Sequence, residues 1–160
     1  MEINERKKVL KNLSYGLFVL TTKHEGTTYG VTLTWVSQIS INPCKIMLGI
    51  NKTSQIYDIL SKSRYGTINI IGESQKKMAQ TFLKLIVSQD TSLAGYKSSN
   101  SPTNSGVILD GVSSIIDFKV SDIYENDIDH AAFICEVLGA KYLNDDKPLS
   151  LQTTGWSYGG

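Results

Sequence analysis

Gly30-Val31-Thr32-Leu33-Thr34-Trp35-Val36-Ser37-Gln38-Ile39-Ser40 is the stretch on which the fold turns. Read at a period of two, Val31, Leu33 and Trp35 face one way and Thr32 and Thr34 the other. The pattern inverts for one step at Val36-Ser37, and Gln38, Ser40 and Asn42 then resume the polar face. An ordinary half-exposed strand would carry Lys, Glu or Arg there. This one offers uncharged hydroxyl and amide groups beside a Trp, a surface better suited to a flat, hydrogen-bonding ligand than to bulk water. The inversion predicts a bulge that turns Ser37 toward that ligand.

Around this stretch, 160 residues fit one domain, spanning 1–160, with room for a real core. At 41% hydrophobic and 19% charged, the composition is that of a folded protein and not of a disordered tail. A formal net charge of +1 leaves no electrostatic footprint for nucleic acid or an anionic membrane. No apolar run is long enough to span a bilayer. The start, Met1 to Lys8, lacks the apolar segment of a signal peptide, so a cytoplasmic location is expected. Cys44 and Cys135 are far apart and outside any CxxC context, as expected of reduced thiols.

Residues 5–13 read as a short helix carrying Val9, Leu10 and Leu13. Leu17 to Thr22 is a strand, and a turn at 23–27 leads back into the opening stretch, which makes a hairpin. Cys44 to Ile50 is a third strand. Thr53 or Ser54 suits the N-cap of a helix with Ile56, Ile59 and Leu60 on one face. Tyr65 to Ile71 is another strand, and Ser74 is placed to cap a second helix with Met78, Phe82 and Leu85 as its stripe. From Ser88 to Gly106 the chain is polar and rich in Ser, Asn and Gly, which predicts a long loop of functional or mobile character. Val107 to Leu109, Ser113 to Val120 and Ala131 to Leu138 are strands. Five to seven strands with two or three helices, in no regular βαβ order, predict a closed or nearly closed antiparallel barrel.

Several chemistries have no home here. Neither GxGxxG after a strand nor GxxxxGK[ST] occurs, so no Rossmann or P-loop phosphate cradle is expected. His24, His130, Cys44 and Cys135 lack zinc-ligand spacing, and no metal is expected. A Cys44–His130 nucleophilic pair stays open beside the simpler reading of Cys44 as a small thiol next to Pro43. Asp127, Asp129, Asp145 and Asp146 sit in turn contexts and read as solvated turn formers.

Three segments remain that converge on one ligand if the barrel closes. The first is the polar face of Thr32, Thr34, Ser37 and Gln38. The second is Asn51-Lys52-Thr53-Ser54, at a strand end and a helix start, where free N–H groups, two hydroxyls and a Lys suit a phosphate. A plain N-cap is the alternative for Thr53 and Ser54. The third is Asp129-His130-Ala131 at a strand mouth, where His130 either meets a ligand edge or is merely structural.

Together these segments resemble the flavin reductase-like family, whose fold is the FMN-binding split barrel. The family pattern Gly-hydrophobic-Thr-x-Ser/Thr-x-x-Ser-x-x-Ser, ending in Asn or Asp and two prolines, is matched by GVTLTWVSQISINPC from Gly30 to Cys44. Asn51-Lys52-Thr53-Ser54 matches the Asn-Arg/Lys-Ser/Thr-Ser element, and Tyr65-Gly66-Thr67-Ile68-Asn69 the aromatic-Gly-x-x-Asn strand. Leu109-Asp110-Gly111, Ile128-Asp129-His130, Cys135-Glu136-Val137 and Asp146-Lys147-Pro148-Leu149 follow in family order. Order and spacing carry the resemblance across nearly the whole chain. The departures are Cys44 for the second proline, Ile128 for the Gly before Asp129-His130, and Lys76 or Lys77 for the usual Arg of the second helix.

The resemblance implies a mainly β, antiparallel, Greek-key-like split barrel with two or three peripheral helices. It implies FMN, or FAD as a substrate flavin, held by Thr32, Leu33, Thr34, Trp35, Ser37 and Gln38 along the ring and ribityl chain. Asn51, Lys52, Thr53 and Ser54 would meet the phosphate. NADH or NADPH would be the donor in an NAD(P)H:flavin oxidoreductase, with His130 as the catalytic-site histidine and the 88–106 loop as a cover. A homodimer is implied, with no nucleic-acid or membrane partner. A flavoredoxin-like carrier of tightly bound FMN, reduced by a redox protein partner, is the alternative.

Overall fold

The computed structural model describes residues 2–160. Its strands in chain order begin with β1 (Phe18–His24), β2 (Thr27–Leu33), β3 (Val36–Ser40), β4 (Lys45–Asn51), β5 (Tyr65–Ile70) and β6 (Ile86–Ser88). They continue with β7 (Ser92–Leu93), β8 (Tyr96–Asn100), β9 (Val107–Leu109), β10 (Ser114–Tyr124) and β11 (His130–Tyr142). The helices are α1 (Ile3–Leu10), α2 (Gln55–Ser63), α3 (Lys76–Thr81) and α4 (Leu151–Thr154). The protein is mainly β, as its residue pattern predicts, with one short helix more than expected.

The predicted hairpin is β1–β2, paired from Phe18↔Leu33 to His24↔Thr27. Glu25 and Gly26 between them have φ of 48° and 78°. Two positive φ values in a two-residue loop give the turn whose twist matches that of the flanking strands.

Eight strands form one antiparallel sheet in the order β3-β4-β11-β10-β5-β1-β2-β6. β2 and β3 stand seventh and first in that order, yet only Thr34 and Trp35 separate them in the chain. In a flat sheet they would lie about 29 Å apart, at roughly 4.8 Å per strand. The three peptide units from Leu33 to Val36 reach about 11 Å at most. The sheet therefore has to curl on itself. It does so without joining β2 to β3: the Thr32 N–H donates to the carbonyl of Phe82 at 2.7 Å instead. The barrel is split at that seam.

The opening stretch is thus two strands and not one. The break falls at Thr34-Trp35, where Val36 N–H donates to Thr34 O at 3.1 Å and Gly49 N–H to Trp35 O at 2.8 Å. The irregularity of register lies between Gln38 and Ser40, and not at Val36-Ser37. Two sharp demands, closing the seam and pairing with β4, override the simple alternation that a single strand would keep.

The sheet separates two cores. Leu20, Leu48, Ile68, Phe118 and Phe133 fill the barrel interior, closed at one end by Ile56 and Leu60 of α2. Val19, Ile71, Phe82, Leu93, Leu109 and Ile115 form the other, against Met78 and Ala79 of α3. Alternation along β1 sends Val19 to one core and Leu20 to the other. α2 is as the sequence predicts. α3 ends at Thr81, so Phe82 still packs from its last turn, while Leu85 joins the barrel core from beyond it. α1 buries none of its residues, and the expected stripe of Val9, Leu10 and Leu13 faces outward.

The 88–106 segment is not an open loop. β7, β8 and β9 form a three-stranded sheet, with Leu93 fully buried. A buried carboxylate anchors it: Asp117 accepts from Thr67 Oγ1 at 2.6 Å, Thr103 N at 3.0 Å and Thr103 Oγ1 at 2.9 Å. Polar composition misread this segment because its serines and asparagines are used as internal hydrogen-bond partners.

Candidate functional site

Beside the seam, between β2 and β4, lies a cavity of about 420 Å³. That lies within the range of roughly 300–1,000 Å³ usual for small-molecule sites. Thr32 and Thr34 line one side, Asn51 and Ser54 another, and Trp156 and Tyr158 a third. A polar cleft of about 510 Å³ beneath β8, around Lys23 and Asn100, lacks apolar walls of this kind.

The three segments singled out in the sequence do meet. The carbonyl of Trp35 is bonded to β4 at Gly49, and β4 ends at Asn51 opposite His130, the first residue of β11. The residues differ in what they can offer. The Thr32 hydroxyl is committed, donating to Ala79 O at 2.8 Å. Thr34 faces the cavity with no such bond. Leu33 lines it from the edge of the barrel core. Ser37 and Gln38 do not reach it. They lie on the exposed part of β3, beside a separate apolar depression with Cys44 and Val137. Ser37 Oγ donates to Gln38 O at 3.1 Å, and Gln38 Nε2 to Ser40 O at 3.1 Å.

At the phosphate-like element the chain ties a local knot. Asn51 Oδ1 accepts from the N–H and hydroxyl of Thr53 at 2.9 and 2.8 Å, and Ser54 Oγ donates to Asn51 O at 2.6 Å. Ser54 occupies the N-cap position of α2, as the plain-cap reading places it, but its side chain makes no cap bond. The first N–H groups of a nine-residue helix are left without that partner at the cavity edge, where its dipole favours negative charge. Lys52 is engaged elsewhere. Its ammonium donates to Glu125 O and Ile128 O, both at 2.9 Å, and so fixes the turn before His130.

His130 is held from both ring nitrogens. Nδ1 meets Asp129 Oδ1 at 2.9 Å, and Nε2 meets Tyr158 Oη at 2.6 Å. Trp35 lies tilted at 44° against the imidazole with ring centroids 4.6 Å apart and meets Tyr158 edge-on at 5.4 Å. The hydrogen bond from His130 holds the Asp129 carboxyl below the usual carboxylate range, with the charge of His130 adding to it. Burial, then the Asp129 charge, pushes the Tyr158 phenol up, so it stays protonated. With its nitrogens so engaged, His130 is no partner for Cys44. Burial pushes the Cys135 thiol up to about 12, leaving it an inert part of the core.

The carboxyl-terminal wall is what sequence reasoning missed. Leu151, Trp156, Ser157 and Tyr158 cover the cavity, with Leu83 across from them, and nothing from 88–106 does. Lys76 anchors this wall: its Nζ donates to Thr154 O at 3.1 Å and sits 5.3 Å over the Trp156 ring. Two aromatics within three residues, at 156–158, were the available signal.

The chain matches the family model described as "Flavin reductase like domain" over residues 10–158. The protein belongs to the flavin reductase-like family. It is 31% identical over 78 residues, 49% of this chain and 42% of the relative, to the reductase component of 4-nitrophenol 4-monooxygenase/4-nitrocatechol 2-monooxygenase of Rhodococcus opacus. It is 28% identical over 137 residues, 85% of this chain and 43% of the relative, to the reductase component of the flavin-dependent trigonelline monooxygenase of Acinetobacter baylyi. The chain thus spans less than half the length of these relatives. The NADH:FAD oxidoreductase SgcE6 of Streptomyces globisporus C-1027 shares its fold, with a TM-score of 0.80 at 17% identity, over 92% of this chain and 81% of that one.

Proposed function

We propose that this member of the flavin reductase-like family is an NAD(P)H-dependent flavin reductase that supplies reduced flavin to a partner monooxygenase. One observation carries the reading: a cavity at the barrel seam joins apolar walls to an uncapped helix start and the free Thr34 hydroxyl. The donor set suits a flat ring with a phosphorylated tail. FMN is the preferred occupant, with FAD as the alternative substrate flavin. Trp35 itself does not line that space, and its buried indole N–H has no hydrogen-bond partner among the described residues.

A bound flavin supplies the two-electron acceptor for hydride from the nicotinamide, and the protein need contribute no acid–base pair for that. Thr34, Asn51 and Ser54 bind and orient. The N-terminus of α2 holds the phosphate. Leu33, Leu83, Leu151 and Trp156 exclude water. Lys52 positions the 125–129 turn, and Ser37 and Gln38 take no part.

Aerobic oxidation of NADH and NADPH, each with FMN and with FAD, tests the reading. Turnover that depends on added flavin supports it. Tightly bound FMN reduced by neither nicotinamide would favour the flavoredoxin-like carrier and a redox protein donor. No flavin binding at all would refute both. Thr34→Phe should weaken flavin binding more than tenfold, whereas Ser37→Phe should leave it unchanged.

A homodimer accompanies this reading. Ile39 and Ile41 are exposed at the β3 edge, and Leu138, Tyr142 and Leu143 at the far end of β11. An apolar sheet edge of this kind calls for a partner. Sedimentation equilibrium checks it, and a monomer at micromolar concentration would exclude it. The reading also places the protein in the cytoplasm, where reduced nicotinamides are found.

A further inference from the structure

His130 does not line the cavity, whereas Tyr158, bonded to it, does. We propose that Tyr158 is the residue that meets the polar edge of the bound ring, and that His130 and Asp129 act through it as positioning residues. The ligand edge in question is an amide-like carbonyl and N–H pair, which flavin and nicotinamide both carry. The inference rests on the flavin reductase reading given above.

The hydrogen-bond line has a direction. The Asp129 carboxylate only accepts, so Nδ1 of His130 carries the hydrogen that it meets at 2.9 Å. In the neutral imidazole Nε2 is then an acceptor, and the Tyr158 hydroxyl must donate to it across 2.6 Å. The oxygen lone pairs of Tyr158 are left for the cavity, and the site accepts from a ligand N–H. When His130 gains a proton, Nε2 becomes a donor and Tyr158 must accept from it. The phenolic hydrogen is freed and the site donates to a ligand carbonyl. One proton on a residue outside the cavity thus reverses the polarity of the group inside it.

The surroundings keep this line in place. Asp129 and Tyr158 face the imidazole, the Trp35 ring covers it, and uncharged Asn51 lies opposite on β4. The nearby cation, Lys52, spends its donors on the carbonyls of Glu125 and Ile128. Gly159 has φ of 81° and its α-carbon lies so close to Trp35 that a Cβ would come within 2.8 Å of Cζ2, which fixes the backbone just beyond Tyr158 against the indole.

Tyr158→Phe keeps the ring and removes only the hydroxyl. FMN dissociation constants are measured by fluorescence quenching across a pH series that takes the imidazole through both of its charge states. NAD⁺ titration of the FMN-loaded protein forms a second arm. Loss of one hydrogen bond should weaken binding about 3- to 10-fold. A loss in the FMN arm assigns Tyr158 to the flavin edge, and a loss in the NAD⁺ arm alone assigns it to the nicotinamide. Either loss should vary with pH in the wild type, and the variation should vanish in His130→Gln. Unchanged affinity in both arms, in a variant of wild-type melting temperature, overturns the proposal. So does a loss indifferent to pH. Wild-type protein that binds no flavin would instead refute the functional reading beneath it.

Discussion

Gly49→Ala should disturb the site through a single methyl group. Gly49 stands on β4 directly beneath Trp35, and a Cβ built there lies 2.9 Å from Trp35 Cε3 and 3.1 Å from Trp35 Cβ. Both distances are inside ordinary carbon contact, so one group must move. Trp35 cannot simply retreat, because its own carbonyl accepts the Gly49 N–H at 2.8 Å. The indole has to swing off β4 and leave its contact with His130, now 4.6 Å between centroids. Overpacking of this sort costs about 1–3 kcal/mol. In a domain of this size each kcal/mol lowers the melting temperature by about 2–4 °C, so the expected fall is about 2–12 °C. Calorimetry measures it, and near-ultraviolet circular dichroism should report the moved indole. The decisive control is the same substitution in a Trp35→Ala background, where the clash is absent and the penalty should largely disappear. A wild-type melting temperature with unchanged aromatic signal would refute the reasoning. So would a penalty that persists in full without the indole.

Asp117→Ala strands the three donors it now satisfies, and should cost about 2–4 kcal/mol in urea unfolding. Amide exchange should quicken through residues 101–107, and a loss below about 1 kcal/mol would show that the network is dispensable. Lys76→Ala removes the bond to Thr154 and the contact over Trp156, so exchange at 155–158 should rise while the barrel strands stay protected. Native protein at pH 8 should present one thiol, Cys44, to an aromatic disulfide reagent, and two after denaturation; two fast native thiols would contradict the burial of Cys135. Because the folded Cys135 thiol ionises only near 12, against 9.0 for an unburied thiol, stability should fall as pH rises from about 9 toward 12. A flat profile over that window would remove Cys135 from the account.

Much of the barrel could be read from local pattern. Local pattern marks strands such as Cys44 to Ile50, and two positive-φ residues at Glu25-Gly26 complete the hairpin read from Leu17 onward. What local pattern could not carry was closure. The alternation through Thr32, Thr34 and Ser37 gives no sign that the sheet must turn between Leu33 and Val36, because that demand comes from pairing that runs through β10 and β11, far along the chain. Alternation alone therefore assigns Ser37 and Gln38 to a cavity that they do not reach. Lys52 was overvalued similarly: its residue type suits an anion, but its position against the 125–128 turn decides its partners. The terminal wall was underread because Trp156 and Tyr158 belong to no strand or helix, and only their contacts with Lys76, Trp35 and His130 give them a place.

The two-residue link at Thr34-Trp35 has a kinetic meaning as well. The edges of most curled sheets are brought together late, after a long stretch of chain has been ordered at considerable entropic cost. Here β2 and β3 are tethered within about 11 Å even in the unfolded chain. The slow search belongs instead to the pairing of β4 with β11, where Asn51 must find His130. That pairing also sets Asn51 beside the Asp129–His130–Tyr158 line, so the strand pair most widely separated in the chain is the one that assembles the site.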